Sequence, residues 1–133
     1  MEERTGAEFR AMRETIGWSQ REAADAMGVP EATVKKWENP KAGWNVLPYG
    51  WSWIDARLAD HDAEVDRLIE KAHKVADAGK RPINFAYFRN GMRTGGAPAG
   101  AMNARAREAA SFIESEGYPV RFVWAYGDEN AIC

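Results

Sequence analysis

The chain has 133 residues, 45% of them apolar, and a single cysteine, an ordinary globular composition for one domain or two small ones. Its acidic start, Met1-Glu2-Glu3-Arg4-Thr5, leads into no signal-like apolar stretch and nowhere do about 18 apolar residues run together, so export and membrane insertion are not expected, and the lone Cys133 fits a reducing, cytoplasmic setting. With 18 basic against 20 acidic side chains, and 7 against 8 within residues 1–41, any affinity for nucleic acid rests on local geometry and not on bulk attraction.

The first expected element opens with Thr5-Gly6-Ala7-Glu8, the spacing of a capping box, and carries Phe9, Met12 and Ile16 on one helical face before Gly17. A second capping box, Ser19-Gln20-Arg21-Glu22, leads a short helix whose inner side is Ala23, Ala24 and Met27 before Gly28. Pro30 suits the first turn of a third helix, because its missing N–H would be unpaired there anyway. Val34 and Trp37 form the apolar side of that helix, and Asn39-Pro40 ends it.

Three short helices within 35 residues, the last two joined by Gly28-Val29-Pro30, form a helix-turn-helix pattern. The stretch Gly17 to Glu38 resembles the lambda-repressor-like (XRE-type) DNA-binding domain. The matching marks are Ser19-Gln20, Ala24, Gly28-Val29, Val34 and Trp37-Glu38. That resemblance implies double-stranded DNA as the partner and places Gln20, Arg21, Glu31, Ala32, Thr33, Lys35 and Lys36 against it. Gln20, Arg21 and Lys36 would meet phosphates. Glu31 would accept from a cytosine amino group and Lys35 donate to guanine, with Ala32 and the Thr33 methyl against a thymine methyl. The plain alternative is a solvated helix face that happens to carry two lysines. Two departures from the family pattern stand out: Pro30 replaces the usual hydroxyl cap, and the loop Asn39 to Pro48, with Lys41, is long.

From Pro48 a long helix is expected as far as Ala78, with Trp51, Ile54, Leu58, His61, Val65, Leu68, Ala72 and Val75 on one stripe. Asp60-His61-Asp62 is the place where short polar side chains would break it. After Pro82 the period changes to 2: Ile83, Phe85 and Tyr87 alternate with polar or small residues as a strand. Arg89 to Gly100 is a loop with four glycines that lacks the pattern of a phosphate cradle. Met102, Ala106, Ala109 and Ile113 define an amphipathic helix, and Val120, Phe122 and Trp124 a second strand.

The expected fold is therefore α+β, mostly α: a helix-turn-helix bundle over 1–47, a connecting helix over 48–80, and a strand-helix-strand dimerisation domain over 81–133. Its layout is similar to small phage and bacterial regulators that include the anti-CRISPR-associated and YdiL-like proteins. Two strands and a helix make a small sheet with a liable edge, so Ile83, Phe85, Tyr87, Val120, Phe122 and Trp124 are the expected homodimer interface. A two-fold axis would then set two reading heads in successive major grooves of an inverted repeat.

Trp18, Trp37 and Trp51 fall at core positions, whereas Trp44 and Trp53 lie off these stripes and are left to cover the junction between the halves. His61 and His73 are 12 residues apart with no zinc motif, so no metal, cofactor or catalytic residue is expected. Asp60, Asp62, Glu64 and Asp66 lack the spacing of a calcium loop. Nothing points to RNA. The functional expectation is a dimeric transcriptional repressor, possessing its own promoter or a short phage or mobile-element operon as target. The alternative is an antitoxin or interaction module whose C-terminal part binds a partner protein.

Overall fold

The computed structural model describes residues 3–91, 93–94, 96–126 and 130–133. The chain forms two compact units, residues 1–60 and 61–133.

In the N-terminal unit, α1 (Gly6–Ile16), α2 (Gln20–Met27) and α3 (Glu31–Trp37) lie where the caps and periods put them. Both capping boxes close reciprocally: Thr5 with Glu8 and Ser19 with Glu22 each satisfy two otherwise orphaned amides. Gly17 and Gly28 end their helices at φ 77° and 73°, left-handed values that favour glycine. Pro30 is the N-cap of α3, one residue ahead of the expected first turn, and offers no side-chain cap.

Phe9, Ile16, Ala23, Ala24, Val34, Trp37 and Ile54 are buried together with Trp18 and Val46. Phe9 meets the rings of Trp37 and Trp51 edge to face at 5.5 and 5.8 Å, and Trp18 meets Trp53 at 5.2 Å, a geometry aromatic quadrupoles favour. Trp53 thus packs inside this unit. Gly6 fits because any Cβ would collide with the Trp37 carbonyl oxygen, so the start of α1 rests directly on the end of α3. Gly50 gives the Trp37 ring the same room.

The long helix α4 (Pro48–Asp77) is continuous through Asp60-His61-Asp62. The expected weak point holds because His61 is buried, with Nε2 3.0 Å from Glu108 Oε2, and does not compete for the helix backbone.

The C-terminal unit is a β-α-β arrangement. Strand β1 (Ile83–Tyr87) pairs in parallel with the later strand Val120–Trp124, in the register Ile83↔Val120, Phe85↔Phe122 and Tyr87↔Trp124. A parallel pair needs a crossover, and the intervening helix supplies it. Between them stand two short strands, β2 (Arg93–Thr94) and β3 (Ala97–Pro98), paired antiparallel, then helix α5 (Ala99–Ser115); Val120–Trp124 is β4. The segment expected as an open loop therefore carries a small hairpin, and α5 begins three residues before Met102. Its residues Met92 and Gly95 lie outside the described residues.

Ile83 and Phe85 are fully buried beneath Ala106, Ala109, Ala110 and Ile113 of α5 and Val65, Leu68 and Ala72 of α4. This corrects the expectation that they face a second copy: the chain's own helices cover them and leave no surface to offer. Asn103 is buried yet satisfied, accepting from the Phe88 amide at 2.7 Å and donating to the Phe88 carbonyl at 2.8 Å.

Candidate DNA-reading surface

Helix α3 buries Val34 and Trp37, which turns Ala32, Lys35 and Lys36 outward, with Glu31 and Thr33 half-buried at the border. The tight turn after Gly28 and the small Ala23 and Ala24 let α2 and α3 approach closely. All seven residues assigned from the sequence lie at the solvent side or border of α2 and α3, and several already have partners.

Glu31 and Lys35, one helical turn apart, form an ion pair at 3.6 Å. Lys35 is exposed and Glu31 half-buried, so the pair is weak. Lys36 rests its ammonium 4.3 Å from the centre of the Trp44 ring. Sequence reasoning missed this contact, because nothing in a loop of Gly, Asn and Lys says that its tryptophan folds back on α3. Trp44 is itself 50% exposed, so the stacked cation remains open to solvent. Arg21 is exposed at the first turn of α2.

Gln20 is tied down from within. Its Nε2 donates to Glu38 Oε1 at 3.1 Å, and Glu38 also takes a two-pronged contact from Arg13, Nε and Nη2 at 2.7 Å each. Arg13 Nη1 donates to the Trp18 carbonyl at 3.0 Å. This buried group joins α1, the start of α2 and the end of α3. The hydrogen bonds with Glu38 hold the Arg13 guanidinium above its ordinary pKa. Arg13 was also missed: its position four residues before the expected Gly17 stop reads as a helix-end cation, and its partner is 25 residues away.

Residues 9–41 match a helix-turn-helix family model. The matched segment runs from Phe9 through α2, the turn and α3 to Lys41, so it contains all seven residues assigned from the sequence, while Trp44 lies just past its end. The match supports a DNA-binding transcriptional regulator. No curated protein matches the chain.

Elsewhere, His61, Asp62 and Glu108 bring one possible metal-ligand atom each within 4.8 Å of one another. The His61–Glu108 hydrogen bond accounts for that juxtaposition, and both carboxylates are exposed. Asp62 and Asp66 are solvated, while Asp60 pairs with Arg57 at 3.1 Å and Glu64 with Arg67 at 2.7 Å. No described helix is long and apolar enough to cross a membrane.

Proposed function

We propose that the chain is a sequence-specific double-stranded DNA-binding regulator that acts as a dimeric repressor on an inverted repeat, in the promoter of a short phage or mobile-element operon that includes its own gene. The observation that carries the reading is the outward face of α3, where Ala32, Lys35 and Lys36 stand clear of the core within the segment that matches the helix-turn-helix family. Lys35 and Glu31 read base edges, with Ala32 and Thr33 against thymine methyls. Lys36, Arg21 and Gln20 sit on phosphates. Each good base contact discriminates by about 1 to 3 kcal/mol.

The test is a binding selection on random duplex DNA, repeated with variants. Lys35→Ala is expected to relax preference at one base pair. Lys36→Ala is expected to weaken all sequences alike and lower the slope of log affinity against log salt by about one. Enrichment of no motif, or unchanged binding in both variants, overturns the proposal. The antitoxin reading draws support from the exposed Phe122 and Trp124 of the C-terminal unit, and is favoured if those side chains hold a partner protein while the selection yields no motif.

A further inference from the structure

The C-terminal unit treats its two sheet edges differently. On one side of β1, Ile132 closes the edge: the Ala86 amide donates to the Ile132 carbonyl, and the Ile132 amide to the Asn84 carbonyl, both at 2.8 Å. On the other side β1 pairs with β4, using the Pro119 carbonyl and the Ala125 amide at the two ends of the ladder. Backbone groups alternate along a strand, so those of Pro119, Arg121, Val123 and Ala125 point toward β1. The N–H and C=O groups of Val120, Phe122 and Trp124 point outward. Among the described residues no strand pairs with that outer edge.

Soluble proteins blunt such edges with lysine, proline or bulges. Within β4, Val-Arg-Phe-Val-Trp, the only charge is Arg121, and there is no proline. Phe122 and Trp124 remain 44% and 59% exposed while resting on Tyr87 edge to face at 5.4 and 6.3 Å.

We infer that β4 pairs antiparallel with β4 of a second copy about a two-fold axis at Phe122, joining the two sheets into one. This deepens the dimer in the proposed function and rests on it. The register follows from which groups point outward. Phe122 faces Phe122 of the second copy, and Val120 faces its Trp124, in both directions. All three are hydrogen-bonded pairs, and the aromatics lie together on the face that carries α5. The edge is self-complementary, as a two-fold interface requires. Two half-exposed aromatics offer on the order of 100 Å² each. With the strand backbone this stays below the roughly 800 Å² per partner of a standard stable interface, so the dimer is expected to be weak.

The test uses the full chain with Cys133→Ser, which removes the exposed native thiol. Sedimentation at tens of micromolar is expected to show a dimer. Phe122→Pro deletes an outward amide that β1 does not use, and proline is tolerated on such an edge. It is expected to give a monomer with unchanged helical circular dichroism, while Phe122→Ala, which keeps the amide, weakens the dimer less. Residues facing across a hydrogen-bonded pair have Cα atoms about 5.5 Å apart, within disulfide range. Phe122→Cys is therefore expected to cross-link on oxidation, and Arg121→Cys, whose opposite neighbour is Val123, is not. A monomeric parent, a folded Phe122→Pro that stays dimeric, or equal cross-linking at 121 and 122 overturns the inference. None of these measurements involves DNA, so a dimer that selects no DNA motif refutes the proposed function and leaves this pairing standing.

Discussion

Replacing Glu38 by alanine removes the acceptor shared by Arg13 and Gln20. In the folded chain the Glu38 side chain is 2% exposed and that of Arg13 10%, so the arginine is left charged, desolvated and holding only the Trp18 carbonyl. Breaking one side of a buried ion pair costs about 3 to 5 kcal/mol. The stability of a whole domain is about 5 to 15 kcal/mol. Since about 1 kcal/mol moves the melting temperature of a unit this size by roughly 4 to 8 °C, Glu38→Ala is expected to lower it by well over 10 °C. The assay is thermal and urea unfolding followed by circular dichroism at 222 nm. Arg13→Met combined with Glu38→Leu removes both charges at similar volume and is expected to recover most of the loss, as apolar replacements of buried pairs often do. The reasoning is refuted if Glu38→Ala unfolds within about 1 kcal/mol of the parent, or if the double variant is as unstable as the sum of its parts.

Gly6→Ala drives a methyl into the Trp37 carbonyl and is expected to destabilise the N-terminal unit by about 1 to 3 kcal/mol, although alanine is the better helix former; a gain in denaturation midpoint contradicts the close approach. Trp44→Ala is expected to reduce DNA affinity less than Lys36→Ala and to leave the salt dependence unchanged, because the Lys36 charge remains, with little change in melting temperature because the ring is half in solvent; a binding isotherm indistinguishable from the parent counts against the stacked lysine. Hydrogen bonds from Arg4 hold the Asp55 carboxyl below its ordinary 3.8, and those from Arg67 hold Glu64 below 4.5. Such depressed groups stabilise the fold above their unfolded pKa values and lose that contribution as pH falls through their folded ones. Stability is therefore expected to fall below about pH 4.5, by under about 1 kcal/mol per partly exposed pair, and melting curves of Asp55→Asn that keep the parent's full acid slope exclude Asp55 as a source.

Local chemistry fixes much of this molecule. Thr5-Glu8 and Ser19-Glu22 announce their helices because a capping box closes within four residues, and Gly17 and Gly28 stop them because a left-handed residue favours glycine. The exposed face of α3 is equally legible, since burying Val34 and Trp37 forces Lys35 and Lys36 outward. Partners distant in the chain are settled only by tertiary structure. Arg13 finds Glu38 across 25 residues, His61 finds Glu108 across 47 and keeps α4 unbroken, and Trp44 folds back over Lys36. The alternation of Ile83, Phe85 and Tyr87 marks a strand and one apolar row, but it cannot say what covers that row. Helices α4 and α5 cover Ile83 and Phe85, while Phe122 and Trp124 stay exposed at the edge. Period 2 encodes which side a residue faces; which neighbour arrives on that side depends on how the crossover helix packs, and no local pattern in the strand carries that information.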